Sequence, residues 1–243
     1  MSERKSALIV GVGAQKGLGA AIARRFSRGG FDVIVAGRTA AKLDAVVDNI
    51  LATGAHASSV VGDASLEADV LRFVEAAEAI APLHVAVHNA GTNRRDQFLN
   101  LAVDDFEQLW REHCRGGFLV GREAARKMLS REEGTILFTG ASGSLRGKAG
   151  FAAFAAAKAG LRAVSQSMAR EFGPKGLHVA HIVIDGGIAG DRLMSRMPER
   201  FKNAGDDGLL DIEAIADAFW FVHTQHRSAW TQELDLRPWA ETF

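Results

Sequence analysis

The chain has no tyrosine in 243 residues and one cysteine, Cys114. Without tyrosine, no phenolic hydroxyl from any part of the chain can exchange a proton with a ligand. A lone cysteine forms no internal disulfide, and no spaced Cys/His cluster accompanies it to make a zinc site, a pattern that suits a reducing cytoplasm. Charge excess is missing too: 29 Lys plus Arg cancel 29 Asp plus Glu, so no surplus field draws nucleic acid or an anionic membrane, and small discrete ligands are the expected partners. No run approaches the roughly 20 apolar residues of a membrane-spanning helix. The opening apolar run, Ala7-Leu8-Ile9-Val10, is too short for a signal peptide and ends in glycines, so it reads as a first strand.

What is present is a 47% hydrophobic chain, long enough for one core that buries about three quarters of the unfolded surface. Strand-like runs at 7–10, 32–36, 58–61, 85–88, 135–139 and 178–184 alternate with helical patterns, and a last strand is expected within 230–236. Several runs are apolar throughout, as strands buried on both faces of a parallel sheet should be. The expected fold is therefore α/β: a single-domain Rossmann fold over 1–243, a doubly wound parallel sheet with helices on both faces. Thr39, Ser65, Asp104 and Asp211 are the expected N-caps. The segment 190–208 breaks the rhythm and reads as a mobile insertion at the substrate side.

After the first strand, Gly11-Val12-Gly13-Ala14-Gln15-Lys16-Gly17-Leu18-Gly19 leads into a helical run at 20–26. Strand, glycine turn and helix in this order form a cradle for a dinucleotide pyrophosphate: glycines let the backbone approach, and the helix start offers free N–H groups. A plain glycine-rich turn is the bland alternative, and the strand-to-helix context argues against it. At the end of the second strand an acid would hold a ribose 2′-hydroxyl, whereas an arginine would accept a 2′-phosphate. Arg38 stands there, no acid occurs between Val33 and Lys42, and Lys16 offers a second positive contact, so NADP(H) is the expected cofactor; the alternative for Arg38 is a solvated surface charge.

Gly13, Gly17 and Gly19, then His88-Asn89-Ala90-Gly91, then Lys158 in an alanine-rich helix resemble the short-chain dehydrogenase/reductase family over nearly the whole chain. Gly62-Asp63-Ala64 also fits it. The resemblance implies that Asp63 and Ala64 lie at the adenine, that Asn89, Ala90 and Gly91 flank the cofactor, that Lys158 holds the nicotinamide ribose, and that Ile188 presents its backbone to the nicotinamide amide. It also implies a small-molecule substrate and assembly as a homodimer or homotetramer, through helices at 104–130 and 151–172.

The same resemblance exposes departures. The family's proton-exchanging tyrosine, four residues before the lysine, is Phe154, and the alternative position seven before it is Phe151. A benzyl ring has neither an acidic proton nor an acceptor. The family's serine position holds Ala141 with Ser142 beside it, the helical asparagine position holds His113, and Asp185 replaces the proline of Pro-Gly. Two readings follow. One is an NADP-dependent oxidoreductase acting on a small carbonyl or activated alkene, with Ser142 orienting the acceptor and Lys158 or His113 supplying the proton. The other is a catalytically silent relative that binds NADP(H) in a structural, sensory or oligomer-partner role. For His113 the bland alternative is a packing or capping residue, for Ser142 a turn residue, and for Phe151 and Phe154 core or interface rings. His84 and His88 are spaced four apart on a strand with no carboxylate or cysteine to complete a shell, so no metal is expected.

Overall fold

The computed structural model describes residues 4–241; residues 1–3 and 242–243, the ends of the expected single domain, lie outside the described residues. The strands in chain order are β1 (Ser6–Val10), β2 (Asp32–Gly37), β3 (Ala57–Val61), β4 (Leu83–His88), β5 (Gly134–Thr139), β6 (Leu177–Ile184), the short β7 (Ile188–Ala189) and β8 (Leu210–Asp211), and β9 (Glu233–Leu236). Seven of them form one parallel sheet in the order β3-β2-β1-β4-β5-β6-β9. The last strand starts three residues later than the sequence suggests, because a short 3₁₀ turn at Arg227–Ala229 precedes it.

Alternate residues of each central strand feed two separate cores, which is why those runs show no polar alternation. Ala7, Ile9, Val33 and Val35 pack under α1 (Leu18–Arg28), α2 (Ala40–Leu51) and α9 (Ile212–His223). Leu8, Val10, Ile34 and Ala36 pack under α3 (Glu67–Ile80), α5 (Gly116–Met128) and α6 (Ala152–Phe172). Helices thus cover both faces, and a doubly wound α/β architecture results.

Of the four expected N-caps, Asp211 alone caps with its side chain, its Oδ1 accepting from the Glu213 and Ala214 amides at 2.9 Å. Thr39 sits at the right place without a side-chain bond. Helix α3 begins after Leu66 and α4 (Val103–Trp110) after Ala102, so Ser65 and Asp104 miss the cap. Acids within the first turn take over there, Glu67 and Asp69 in α3 and Asp104 and Asp105 in α4, where the helix dipole favours negative charge.

Between α4 and α5 the helix widens into one π turn, Arg111–Arg115, a feature that often marks functional positions. Past β6 the chain makes a two-stranded ribbon from β7 and β8, which brackets two short helices, α7 (Asp191–Arg196) and α8 (Pro198–Lys202). Residues 190–208 thus carry α7 and α8 between the two strands of this ribbon. Strand order reverses between β1 and β4, and the crevice at the carboxyl ends of the strands there is where such sheets bind ligands.

Candidate active site

A cleft of about 760 Å³ opens at that switch point. The sequence-derived residues all line it: Gly13, Lys16, Gly17, Leu18, Gly19 and Arg38 from the first βαβ unit, Asp63 and Ala64 after β3, Asn89, Ala90 and Gly91 after β4, and His113, Ser142, Lys158 and Ile188. Phe154 lines it as well; Phe151 does not.

The glycine turn has the shape an anion needs. A Cβ on Gly13 would meet nothing within 4 Å, so that position leaves open space, while one on Gly19 would sit 2.8 Å from the Gly11 carbonyl. Gly11 has φ +94° and a Cβ there would strike the Ala90 amide at 2.3 Å. Helix α1 starts with no acidic residue in its first turn, so its unpaired amides face the cleft unopposed. These features fit a dinucleotide diphosphate. Asn89 is occupied structurally: its amide donates to the Gly11 carbonyl and its Oδ1 accepts from Thr139 Oγ1, both at 3.1 Å, tying β1 to β5. Asp63 Oδ1 accepts from the Ser65 amide at 2.8 Å and so fixes its own turn.

The π turn places two buried polar residues, Glu112 and His113, at the cleft wall. Glu112 accepts from the Thr92 amide at 3.0 Å and the Thr92 hydroxyl at 2.8 Å, and its other oxygen lies 3.5 Å from the Arg38 guanidinium. His113 Nε2 lies 2.6 Å from the Thr92 carbonyl. A carbonyl only accepts, so Nε2 carries the hydrogen and Nδ1 is left as a bare lone pair, without a hydrogen-bond partner. Burial, with the positive field of Lys158 added to it, holds this imidazole well below its usual pKa and keeps it neutral. Gly91, at φ +132°, makes room for the ring, because a Cβ there would fall 2.0 Å from it.

Lys158 is fully buried on α6 and donates to the Thr139 carbonyl at 2.7 Å. Burial, aided by the charge of Arg192, lowers its pKa to about 7. Phe154 stacks edge-on against His113 at 5.3 Å and its ring centroid lies 5.9 Å from Lys158 Nζ. Ser142 opens a short turn at the cleft, whereas Ser144 is turned away: its hydroxyl accepts from the Ala141 amide at 3.1 Å and meets His181 at 3.3 Å. Asp185, in place of a proline, is locked by a two-oxygen pairing with Arg146 at 2.9 and 2.8 Å, which holds the Asp185-Gly186 bend by charge instead of by a ring.

Sequence reasoning missed Glu112 and Arg192. Glu112 carried no signal, since the π turn that aims it is invisible in residue spacing. Arg192 was legible only as part of a charge-rich stretch; the fold brings its guanidinium to the Gly91 carbonyl at 3.2 Å.

Residues 5–198 match the family model described as short chain dehydrogenase. The chain belongs to this family. It is 36% identical over 183 residues to the short-chain dehydrogenase/reductase eriH of Hericium erinaceus, covering 73% of this chain and 72% of that protein. Among solved structures, a short-chain dehydrogenase from Rhodopseudomonas palustris is 40% identical, with a TM-score of 0.83 and coverage of 97% of this chain and 99% of that one. A 3-oxoacyl (acyl-carrier-protein) reductase from Agrobacterium tumefaciens C58, solved with NADP bound, is 27% identical with a TM-score of 0.86, covering 97% and 93%. The short-chain dehydrogenase/reductase resemblance drawn from motifs is thereby established, and with it an oxidoreductase family. No helix among the described residues is long and apolar enough to cross a membrane.

Proposed function

We propose that this short-chain dehydrogenase/reductase is an NADP(H)-dependent oxidoreductase that acts on a small carbonyl or activated alkene and delivers the proton from Lys158 instead of a tyrosine. The observation that carries the reading is the buried Lys158 ammonium, which donates to the Thr139 carbonyl at 2.7 Å in the same cleft as the glycine cradle and Ser142, where burial lowers its pKa to about 7. NADPH held in that cradle supplies the hydride. Gly13, Gly17, Leu18 and Gly19 receive the diphosphate, Asp63 and Ala64 border the adenine, Asn89, Ala90 and Gly91 form the floor, and Ile188 meets the amide end. Arg38 and Lys16 take the 2′-phosphate, for which Arg38 has only a long 3.5 Å contact to give up.

Ser142 donates a hydrogen bond to the acceptor oxygen and so polarises it. A lysine with a pKa near 7 is half protonated at neutrality, where general acid–base catalysis is most effective. His113 is assigned the opposite role to a donor: as a neutral imidazole with a free Nδ1 lone pair, it accepts a hydrogen bond and orients the ammonium or a water beside it. The excursion 190–208 is assigned as the moving substrate-side lid of a single domain. Exposed Val103, Phe106, Trp110 and Phe118 on α4 and α5 fit burial between copies of the chain in a homodimer or homotetramer. The lone buried thiol suits a cytoplasmic setting.

A second reading rests on Phe154, an inert ring at the reacting end of the cleft in a chain without tyrosine: a silent relative that binds NADP(H) without turnover. Following NADPH absorbance with ketones, aldehydes, quinones and enones separates the two. Sustained oxidation that disappears in Lys158→Met supports the enzyme. Binding that raises the melting temperature without turnover across the panel supports the silent relative.

A further inference from the structure

Three arginines spaced four apart, Arg192, Arg196 and Arg200, come from α7 and α8 to line the mouth of the cleft. Among the described residues none of them meets a carboxylate within 4.0 Å, although arginines elsewhere are paired, such as Arg24 with Glu213 and Arg162 with Glu233. Arg192 donates only to neutral oxygens, the Gly91 carbonyl at 3.2 Å and Asn93 Oδ1 at 3.4 Å. Its surroundings and the charges of Arg196 and Arg38 depress its pKa, and the acid nearest in effect, Glu112, is already engaged with Thr92 and Arg38. The Arg192 and Arg196 charges oppose each other, and a bound anion relieves that repulsion.

The position of the cluster says whose anion it is. Arg192 is close enough to the reacting end to bias both Lys158 and His113. Arg200 Nη2 lies 3.4 Å from where a Cβ on Gly187 would stand, beside the bend that leads to Ile188. On the reading above, the cofactor's phosphates lie at the glycine turn and at Arg38; Arg192 borders Arg38 on one side, and its bonds to Gly91 and Asn93 and its charge on Lys158 and His113 turn it to the reacting end on the other. We propose that the acceptor carries a carboxylate or phosphate group next to its reducible centre, held by Arg192 with Arg196 and Arg200 assisting. This assignment rests on the oxidoreductase reading and names its substrate class.

The test is calorimetric titration of the full chain saturated with NADP⁺, in a zwitterionic buffer, with malonate and with methyl phosphate. Dimethyl malonate and methanol serve as the uncharged counterparts. At least one anion should bind at least tenfold more tightly than its neutral counterpart, and the titration shows which anion class is preferred. Binding should weaken with added salt and fall at least tenfold in Arg192→Met/Arg196→Met, whose melting temperature reports that it is folded. Equal binding of the neutral compounds, no anion binding to the loaded protein, or undiminished binding to the folded variant overturns the proposal. So does anion binding that NADP⁺ displaces, since the arginines would then serve the cofactor. Absence of any NADP⁺ heat is a separate signal: it overturns the oxidoreductase reading itself and the substrate assignment with it.

Discussion

The half of the sheet built from β1, α1 and β2 and the half built from β4, β5 and α6 meet in one cleft but use different means. In the first half the cradle is backbone: amides at the start of α1, an open Gly13, and a turn whose shape depends on Gly11 and Gly19. In the second half the surface is side chains: Ser142, Phe154, Lys158 and His113. Backbone cradles depend on a few glycines and tolerate changes elsewhere, whereas proton chemistry is lost or rerouted by one substitution. On the proposed reading, this explains how a conventional binding half coexists with a reacting half in which Phe154 stands where the family resemblance places a phenol.

The contrast between the halves is most exposed at Lys158. Lys158→Met should lower turnover by about 10²- to 10⁴-fold, the usual contribution of a general acid, with the protein still folded. In the wild type, NADPH-driven reduction should decline as pH rises through about 7, because the protonated donor is lost there. A flat profile with Lys158→Met fully active would break the division of labour. The reverse experiment on the binding half is Gly11→Ala. With φ +94° and a Cβ 2.3 Å from the Ala90 amide, it should cost at least about 3 kcal/mol and abolish NADP⁺ binding, read by denaturant melts and calorimetry.

Phe154→Tyr sharpens the contrast from the other side. Its ring already faces the cleft beside Lys158, so a phenol there should raise reductase turnover by about tenfold or more; unchanged turnover would mean that the proton route does not pass this position. Arg38→Ala should reduce the preference for NADPH over NADH by about ten- to thirtyfold, equivalent to about 1.4–2 kcal/mol, in the ratio of kcat/KM values. Equal loss for both cofactors would instead assign Arg38 to holding Glu112.

The smallest effect is in stability. His88, His181 and His223 are held neutral mainly by burial, with pKa values of about 3, 4 and 4. The unfolded chain, with histidines near 6.5, binds more protons, so the stability these groups contribute is complete above about pH 6.5 and is lost as pH falls toward 4. Each proton adds a slope of about 1.4 kcal/mol per pH unit. His223→Gln should flatten melts across that range by about one proton, and a slope identical to wild type would remove His223 from the account.

Much of this architecture is encoded locally. The glycine spacing, Arg38, the strand runs and the register of Lys158 depend on residue type and short-range order, so they are legible in the chain alone. The N-caps expected at Ser65 and Asp104 miss because α3 takes Leu66, one residue past Ser65, as its cap, and α4 starts before Asp104, which falls inside its first turn. That the Ser144 hydroxyl is spent on the Ala141 amide and His181 depends on the fold of a single turn, which the chain alone does not show.

By itself, then, the sequence determined the alternation of strands and helices, the anion-shaped turn and the absence of any phenol, because these follow from periodicity, backbone freedom and composition. Tertiary structure alone decided that a π turn aims Glu112 and His113 at the cleft and that Arg192, Arg196 and Arg200 line it without a carboxylate partner among the described residues. It also decided that burial brings one lysine to a pKa near 7. Desolvation and long-range charge depend on which segments pack together, and no local pattern encodes that.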